Sequence, residues 1–337
     1  MPTLTEAEDI SDIAFAYIGS KALFAAIEFG LFTALAGGPK DVDTLAAEIG
    51  LPRERCHTLM TALTALGLTV AEAEGFANSP AAEAFLVEGS KYDFSDYLRL
   101  QVGQQMYPLM DQIEPALKGT LPEDATDSYA TWFSDPEEAR RYSESQHAGS
   151  IGPARSLAKR VDLSKTKRLL DVGGGTGAMA ITLCEAFPDL TATIIDFPNV
   201  AVLGEAYVAE AGLSDRIHYT HGNALTSDWP TQQDAVLMSY LFSGVPDHFH
   251  DGMIARVFDH LAPNGQFLIH DFIVDTDHTG PKNTALWQLQ HTAFTPEARS
   301  LDDAWLTEAL TKAGFADVTV GAMIPGMTKL VTARKPA

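Results

Sequence analysis

Leu170-Asp171-Val172-Gly173-Gly174-Gly175-Thr176-Gly177 decides how this chain reads. An apolar run, RLLDV, leads into the stretch, and a helical pattern from Ala178 to Ala186 leaves it. Glycines let backbone approach a ligand closely, and a helix start offers unpaired N–H groups to an anion, so a carboxylate suits this turn. A nicotinamide enzyme would show G-x-G-x-x-G, whereas the spacing here is Gly173-x-Gly175-x-Gly177. Asp171 also stands two positions before the first glycine, where a pyrophosphate would add negative charge and an ammonium group fits better. Asp196 closes the next apolar run, TATIID, 19 residues after Gly177, a place from which a carboxylate can accept hydrogen bonds from ribose hydroxyls. Together these features describe a nucleoside that carries an amino acid.

Outward from the turn, strand-like and helical runs alternate from Lys167 to the end of the chain. TATIID is followed by a helix from Val200 to Ala211, then RIHYTHG, DAVLMSY, a helix from Asp251 to Leu261, GQFLIHDF, a helix around Leu301 to Ala313, and DVTV with TKLVTAR. Such alternation predicts an α/β fold with a doubly wound sheet. Upstream the pattern is helical, with apolar residues recurring at three and four from Ile13 to Leu35 and from Leu45 to Leu68. DVDTLAAEIGLPRERCHTLMTALTALGLTV reads as two helices joined by a glycine-containing turn, then a short strand pair over 67–78, which is the pattern of a winged helix. Further helices are expected over 93–118 and 136–160, with LPEDATDSYATWFSDPEE as a loop between them and Ser134 or Asp135 as the second N-cap.

At 337 residues the chain exceeds what one core usually organises, which points to two domains or one with a large accessory region. Lys and Arg number 23 against 45 Asp and Glu, a net charge of −22 that repels phosphate backbones and anionic lipid. Nucleic acid and membranes are therefore not expected partners, even with a winged helix present. No apolar run approaches the ~20 residues that cross a bilayer. The N-terminus, MPTLTEAEDISD, lacks the features of a secretory or transit peptide, so a cytoplasmic location is expected. Cys56 and Cys184 have no second Cys or His at ligand spacing, and no metal is assigned.

With both motifs quoted, LLDVGGGTGAMA and IIDFPNV resemble the first two cofactor motifs of the class I methyltransferases that use S-adenosylmethionine. The resemblance implies that Asp171, Gly173, Gly175 and Gly177 hold the methionine part and Asp196, with Phe197 beside it, the ribose. It places the adenine edge at Gly222 and Asn223, where the family usually has Gly-Asp, and adds Ser239, near the end of DAVLMSY, to the cofactor site. Over nearly its whole length the chain resembles the caffeate and acetylserotonin type of small-molecule O-methyltransferase. That resemblance implies a winged-helix dimerisation domain over 1–92, linker helices lining the substrate over 93–160, a Rossmann-like catalytic domain over 161–337, and a homodimer.

Those O-methyltransferases carry a His-Asp pair just after the fourth strand, and the His takes the proton from the substrate hydroxyl. Here Tyr240-Leu241-Phe242-Ser243-Gly244-Val245-Pro246-Asp247-His248 places Ser243 and Gly244 at that pair. A phenol with a pKa near ~10 must lose its proton to attack well, a gap of roughly 4 kcal/mol at neutral pH, and Ser cannot close it. A thioether sulfur needs no base. The opening helices and QLQHTAFTPEARS also resemble the bacterial methylthiohydroxybutyrate S-methyltransferases of dimethylsulfoniopropionate synthesis. The first expectation is therefore methyl transfer to the sulfur of a small thioether hydroxy acid such as 4-methylthio-2-hydroxybutyrate. An alternative is O-methylation of an aromatic natural product with His147, His270 or His291 as base, and a further one is a cofactor-binding regulator or non-methylating catalyst.

Side chains for the acceptor are expected from three segments. Tyr97, Gln101, Gln104, Gln105 and Tyr107 lie on the first linker helix, with Gln101 and Gln105 on one face at i, i+4. Tyr142, Gln146 and His147 lie on the second, and Trp287, Gln290 and His291 in NTALWQLQHTAF. Tyr142, His147, Trp287 and His291 are the expected catalytic side chains. His270 ends the strand GQFLIHDF at the sheet edge where ligands gather, next to Asp271, a position often Glu in the family.

Overall fold

The computed structural model describes residues 3–121, 129 and 133–337, and these form two compact units, Met1–Pro108 and Leu109–Ala337. The boundary falls inside the expected linker of 93–160. LPEDATDSYATWFSDPEE lies largely outside the described residues, although Asp135 is the N-cap of the helix after it, accepting from Glu137 and Glu138 N–H at 2.8 and 3.0 Å.

In the first unit, α1 (Ala7–Glu28) ends where Gly30 adopts φ +65°, and a short α2 (Leu31–Ala34) follows. Then come α3 (Val42–Glu48), capped by Asp41, α4 (Arg53–Ala65), the hairpin β1 (Thr69–Glu72) and β2 (Gly75–Asn78), and α5 (Pro80–Phe85). This is the winged-helix order read from the sequence. Lys40 bridges to Phe76 beside the hairpin, and the approach is so close that a Cβ at Gly75 would lie 2.1 Å from the Lys40 carbonyl oxygen. Leu31, Phe32, Leu45, Cys56, Met60 and Leu63 fill the core. At the start of α4, Arg53 is paired with Asp43 at 2.8 Å and with Glu54 at 2.7 Å, which takes its charge from any phosphate backbone. Tyr97–Met106 winds as a π-helix and Tyr107–Gln112 as a 3-10 helix, not as one α-helix, and the Oε1 atoms of both Gln101 and Gln105 are buried.

One expectation needs correction. By length and composition α1 is able to span a membrane, because its few polar residues are scattered among Ala, Ile, Phe and Leu instead of breaking the average. Ile10, Ile13, Phe15, Tyr17 and Ile18 are 52 to 64% exposed in the single chain. Covering five such side chains is worth on the order of 10 kcal/mol gross, close to the cost of bringing two chains together. Losing part of this face should therefore tip the balance: the double variant Ile13→Asp, Phe15→Asp is expected to shift the protein from dimer towards monomer in light scattering, with helix content kept.

The second unit is built on a seven-stranded sheet in the order β5-β4-β3-β6-β7-β9-β8. Its strands are β3 (Arg168–Val172), β4 (Thr191–Asp196), β5 (Ile217–His221), β6 (Gln233–Ser239), β7 (Leu261–Asp271), β8 (Ala316–Ile324) and β9 (Thr328–Arg334). The first five run parallel and β9 joins β7 antiparallel. Its helices are α6 (Ile113–Leu117), α7 (Pro136–Arg160), α8 (Ala178–Ala186), α9 (Pro198–Glu210), α10 (His250–His260), α11 (Lys282–Phe294) and α12 (Asp303–Lys312). Two apolar clusters cover the sheet, one around Leu169, Leu183, Ile194 and Leu237, the other around Leu170, Val236, Val257 and Phe267. Alternate β3 residues go to opposite clusters, as a strand buried on both faces requires. Chain order reverses at β3, with β4 on one side and β6 on the other, and the crevice at such a switch point is where open α/β sheets bind ligands.

Candidate active site

Four chain segments meet at that crevice: the turn after β3, the end of β4, the loop after β5 and the end of β6. They line a cavity of about 390 Å³ together with residues of α7 and Tyr129 and Phe133. Of the residues singled out in the sequence, Asp171, Gly173, Gly175, Asp196, Phe197, Gly222, Asn223, Ser239, Tyr142 and Gln146 all line it.

Asp171 is the central group. It is fully buried, and neither carboxylate oxygen has a hydrogen-bond partner in the structure. Burial, with Asp196 nearby adding to it, pushes its pKa up to about 7. Gly174 makes this position possible, since a Cβ there would stand 2.7 Å from the Asp171 carboxyl carbon. Gly173, Gly175 and Gly177 have φ of +67°, +59° and +82°, and only open space lies beside Gly175 where a Cβ would point. Gly177 caps α8 from below the turn and does not line the cavity. Asp196 accepts from Gly175 N–H at 2.7 Å and from Phe197 N–H at 2.7 Å; burial still raises it to about 6. Asn223 forms a local turn, its Oδ1 accepting from Leu225 N–H at 2.8 Å.

The turn is braced from outside. Tyr219 donates to the Gly175 carbonyl at 3.1 Å, and its ring fits only because residue 204 on α9 is glycine, where a Cβ would lie 2.0 Å from the phenol oxygen. His147 performs a similar task. Its Nδ1 is 2.7 Å from Thr176 Oγ1, its ring stacks on Tyr207 at 3.9 Å, and burial holds its pKa down to about 4. It is not among the cavity-lining residues, so the structure gives it a bracing place where the sequence suggested a catalytic one.

The acceptor side is aromatic. Tyr142 packs on Phe133 at 5.0 Å, Phe133 on Tyr129 at 5.5 Å and on Phe197 at 5.9 Å. Sequence reading missed Tyr129, Phe133, Tyr240 and Phe249 as lining residues, because no periodicity marks a loop side chain. Tyr240 adopts φ +57°, a left-handed conformation that a bulky residue rarely holds outside functional sites. Gly244 stands where the family's Asp was expected, and a Cβ there would come 2.8 Å from the Tyr129 ring.

The remaining expected residues lie elsewhere. His270 is fully buried between Ser239 Oγ and Thr328 Oγ1, each at 2.9 Å, and its pKa is held down to about 3 by burial, so it joins strands and does not reach the cavity. Trp287 stacks on Phe272 at 4.4 Å, which in turn lies 5.3 Å from the Tyr240 ring. His291 is 7% exposed, its Nδ1 2.6 Å from the Ser243 carbonyl oxygen. Tyr97, Gln101, Gln104, Gln105 and Tyr107 stand on or next to the π-helix of the first unit, and the cavity's walls all come from the second.

Two family models match this chain: an O-methyltransferase domain over residues 125–316 and an O-methyltransferase dimerisation domain over 11–88. The chain belongs to the O-methyltransferase family. It is 32% identical to the 3-hydroxy-5-methyl-1-naphthoate 3-O-methyltransferase of Streptomyces sahachiroi, covering 97% of this chain and 94% of that one. With the tetracenomycin polyketide synthesis 8-O-methyl transferase of Streptomyces glaucescens it shares 29% identity, over 97% and 96%. The fold matches human N-acetylserotonin methyltransferase in complex with S-adenosylmethionine at a TM-score of 0.87 and 21% identity, covering 100% of both chains. The acetylserotonin and natural-product type of O-methyltransferase is thus the resemblance that the comparisons carry; none of these three is named as an S-methyltransferase.

The protein is an S-adenosylmethionine-dependent methyltransferase, and the residues present fit that group. A buried carboxylate without partners suits a cation, so Asp171 would hold the ammonium of the methionine part. Asp196 has lone pairs left for ribose hydroxyls, and the glycine turn leaves room for the methionine chain. When bound, the cofactor supplies an electrophilic methyl on a sulfonium; the protein's residues hold it, exclude water and position the acceptor.

Asp171 ties cofactor affinity to pH with a defined sign. The cation favours the carboxylate, so affinity for S-adenosylhomocysteine, read by calorimetry, should rise from pH 5 towards pH 8 as Asp171 loses its proton around 7. Stability of the empty protein should run the other way. A carboxyl raised on folding binds more protons folded than unfolded, so its contribution falls as pH rises through that window. Asp171→Asn should reduce both dependences, leaving the part that Asp196 carries at lower pH, and weaken binding about tenfold or more, the loss of one charge-assisted hydrogen bond. A variant with unchanged affinity at pH 8 would contradict this role.

Proposed function

We propose that the protein methylates a hydroxyl on an aromatic ring of a natural product. The observation that carries this reading is the wall of Tyr129, Phe133, Tyr142 and Phe197 in the cavity that also meets the glycine turn. Such a wall suits a flat, apolar acceptor. The two Streptomyces relatives, named for O-methylation of a naphthoate and in polyketide synthesis, support it across nearly the whole chain.

The thioether acid has less behind it. A small acid is held mainly by its carboxylate, yet among the described residues no Lys or Arg lines the cavity, and its acidic members are Asp171 and Asp196. The missing base at Ser243 was the ground for sulfur chemistry, and His291 now lies against that same residue.

Transfer of labelled methyl from S-adenosylmethionine decides between them. With 1-naphthol, 3-hydroxy-2-naphthoate and 4-methylthio-2-hydroxybutyrate offered in parallel, aryl methyl ethers are the expected products. Label found only in a sulfonium product would replace this reading with the sulfur one.

A further inference from the structure

A glycine is needed either where the backbone turns left-handed or where a neighbour leaves no room for a side chain. Gly173 and Gly175 in the cavity wall answer to the first reason, with φ of +67° and +59°. Gly244 answers to the second. It closes the 3-10 turn Phe242–Gly244 after β6, and its φ is not positive, so the backbone there does not call for glycine. A Cβ at this residue would nevertheless lie 2.8 Å from Cε2 of Tyr129, with Cζ and Oη both at 3.6 Å. Packed carbon atoms settle at about 3.5 to 4.0 Å, so ring and side chain exclude each other.

The ring that takes this space is held from other sides as well. Phe294 of α11 meets Tyr129 edge-on, with centroids 4.9 Å apart and planes at 90°. Phe133 lies at 5.5 Å and Tyr142 of α7 at 6.1 Å. Phe133 N–H also donates to the Tyr129 carbonyl at 2.8 Å, which fixes these two residues relative to each other. A ring so enclosed does not slide aside for a methyl group without loosening one of these contacts. Tyr129, Phe133, Tyr142 and Gly244 all line the cavity, so any such shift changes its wall.

We propose that Gly244 sets acceptor specificity as a positioning residue: by carrying no side chain it admits the Tyr129 ring, which makes this part of the wall a surface for a flat aromatic acceptor. The proposal rests on the aromatic-acceptor reading above. The family resemblance drawn from the sequence puts an Asp at this position. A carboxylate there would have to lose water to an incoming ring, which costs free energy, whereas an aromatic edge or face gains from the contact. Asp171, the glycine turn and Asp196 belong to the ends of β3 and β4, so acceptor binding and cofactor binding should respond separately.

The test is a double-variant cycle on wild type, Gly244→Ala, Tyr129→Leu and the two combined. Calorimetry reads the binding of 1-naphthol to protein loaded with S-adenosylhomocysteine, and methyl transfer to 1-naphthol is followed in parallel. Each single substitution should weaken 1-naphthol binding about tenfold, the size of one aromatic contact, and raise KM more than it lowers kcat. Affinity for S-adenosylhomocysteine should stay within about twofold of wild type, as general damage to the loop would not allow. In the Tyr129→Leu background Gly244→Ala should cost less than about twofold, because the ring that the methyl would strike is gone. Equal losses from Gly244→Ala with and without the Tyr129 ring would overturn the proposal. So would unchanged 1-naphthol binding in Tyr129→Leu, and either result leaves O-methylation standing. If the wild type methylates no aromatic hydroxyl, the proposal falls together with the reading beneath it.

Discussion

A carboxylate kept out of water without a partner is the constraint around which the catalytic unit is arranged. Asp171 sits near the end of β3, where the chain order reverses, and is flanked by β4 and β6 in register with Ile194 and Leu237. Such burial is unfavourable in the empty protein, and the surroundings show what keeps it in place. Gly174 leaves space for the carboxyl, Asp196 ties the turn to β4, and Tyr219 ties it to α9 through the gap at Gly204. The strain of an unpaired charge is relieved when a cation arrives, so part of the cost borne by the fold returns as binding selectivity for a positively charged ligand.

The same economy governs the histidines. Imidazoles in an enzyme invite a catalytic reading, yet burial keeps His147 and His270 neutral, and each joins two segments through hydroxyl partners. His147 couples α7 to the glycine turn; His270 couples β7 to Ser239 of β6 and Thr328 of β9. What makes each of them a brace is set by hydroxyl partners 29 to 58 residues away in the chain.

That distance explains what could be read from the residues alone. Strands β3 and β4 and helix α8 were legible to within a residue or two, because a strand buried on both faces is a continuous apolar run and the glycine turn marks where it ends. Asp171 and Asp196 were legible through their spacing to that turn. The π-helix at Tyr97–Met106 was not, since its composition also suits an α-helix and only packing selects the wider turn. Of the aromatic wall, Tyr142 and Phe197 were named from the sequence, whereas Tyr129 and Phe133, from a segment with turn-like composition, were not. Membrane-spanning length in α1 went unnoticed for the opposite reason: single polar residues hide a high average.

The gap at Ser243 shows how a local reading misleads about chemistry. On the strand-end loop alone, loss of the His-Asp pair removes the base, and an acceptor that needs none becomes attractive. In the folded chain the two losses are linked to two gains. Without a side chain at Gly244 the Tyr129 ring has room to lie against the loop, and the backbone of Ser243 is left to receive an imidazole from one side and give its N–H to a carboxylate on the other. The Ser243 N–H and C=O belong to two successive peptide units, so one residue's backbone donates to a carboxylate and accepts from an imidazole far apart in sequence. The backbone of Ser243 thus joins α11 to β7 beside the cavity wall at Gly244, a link that no inspection of residue types along the loop would reveal.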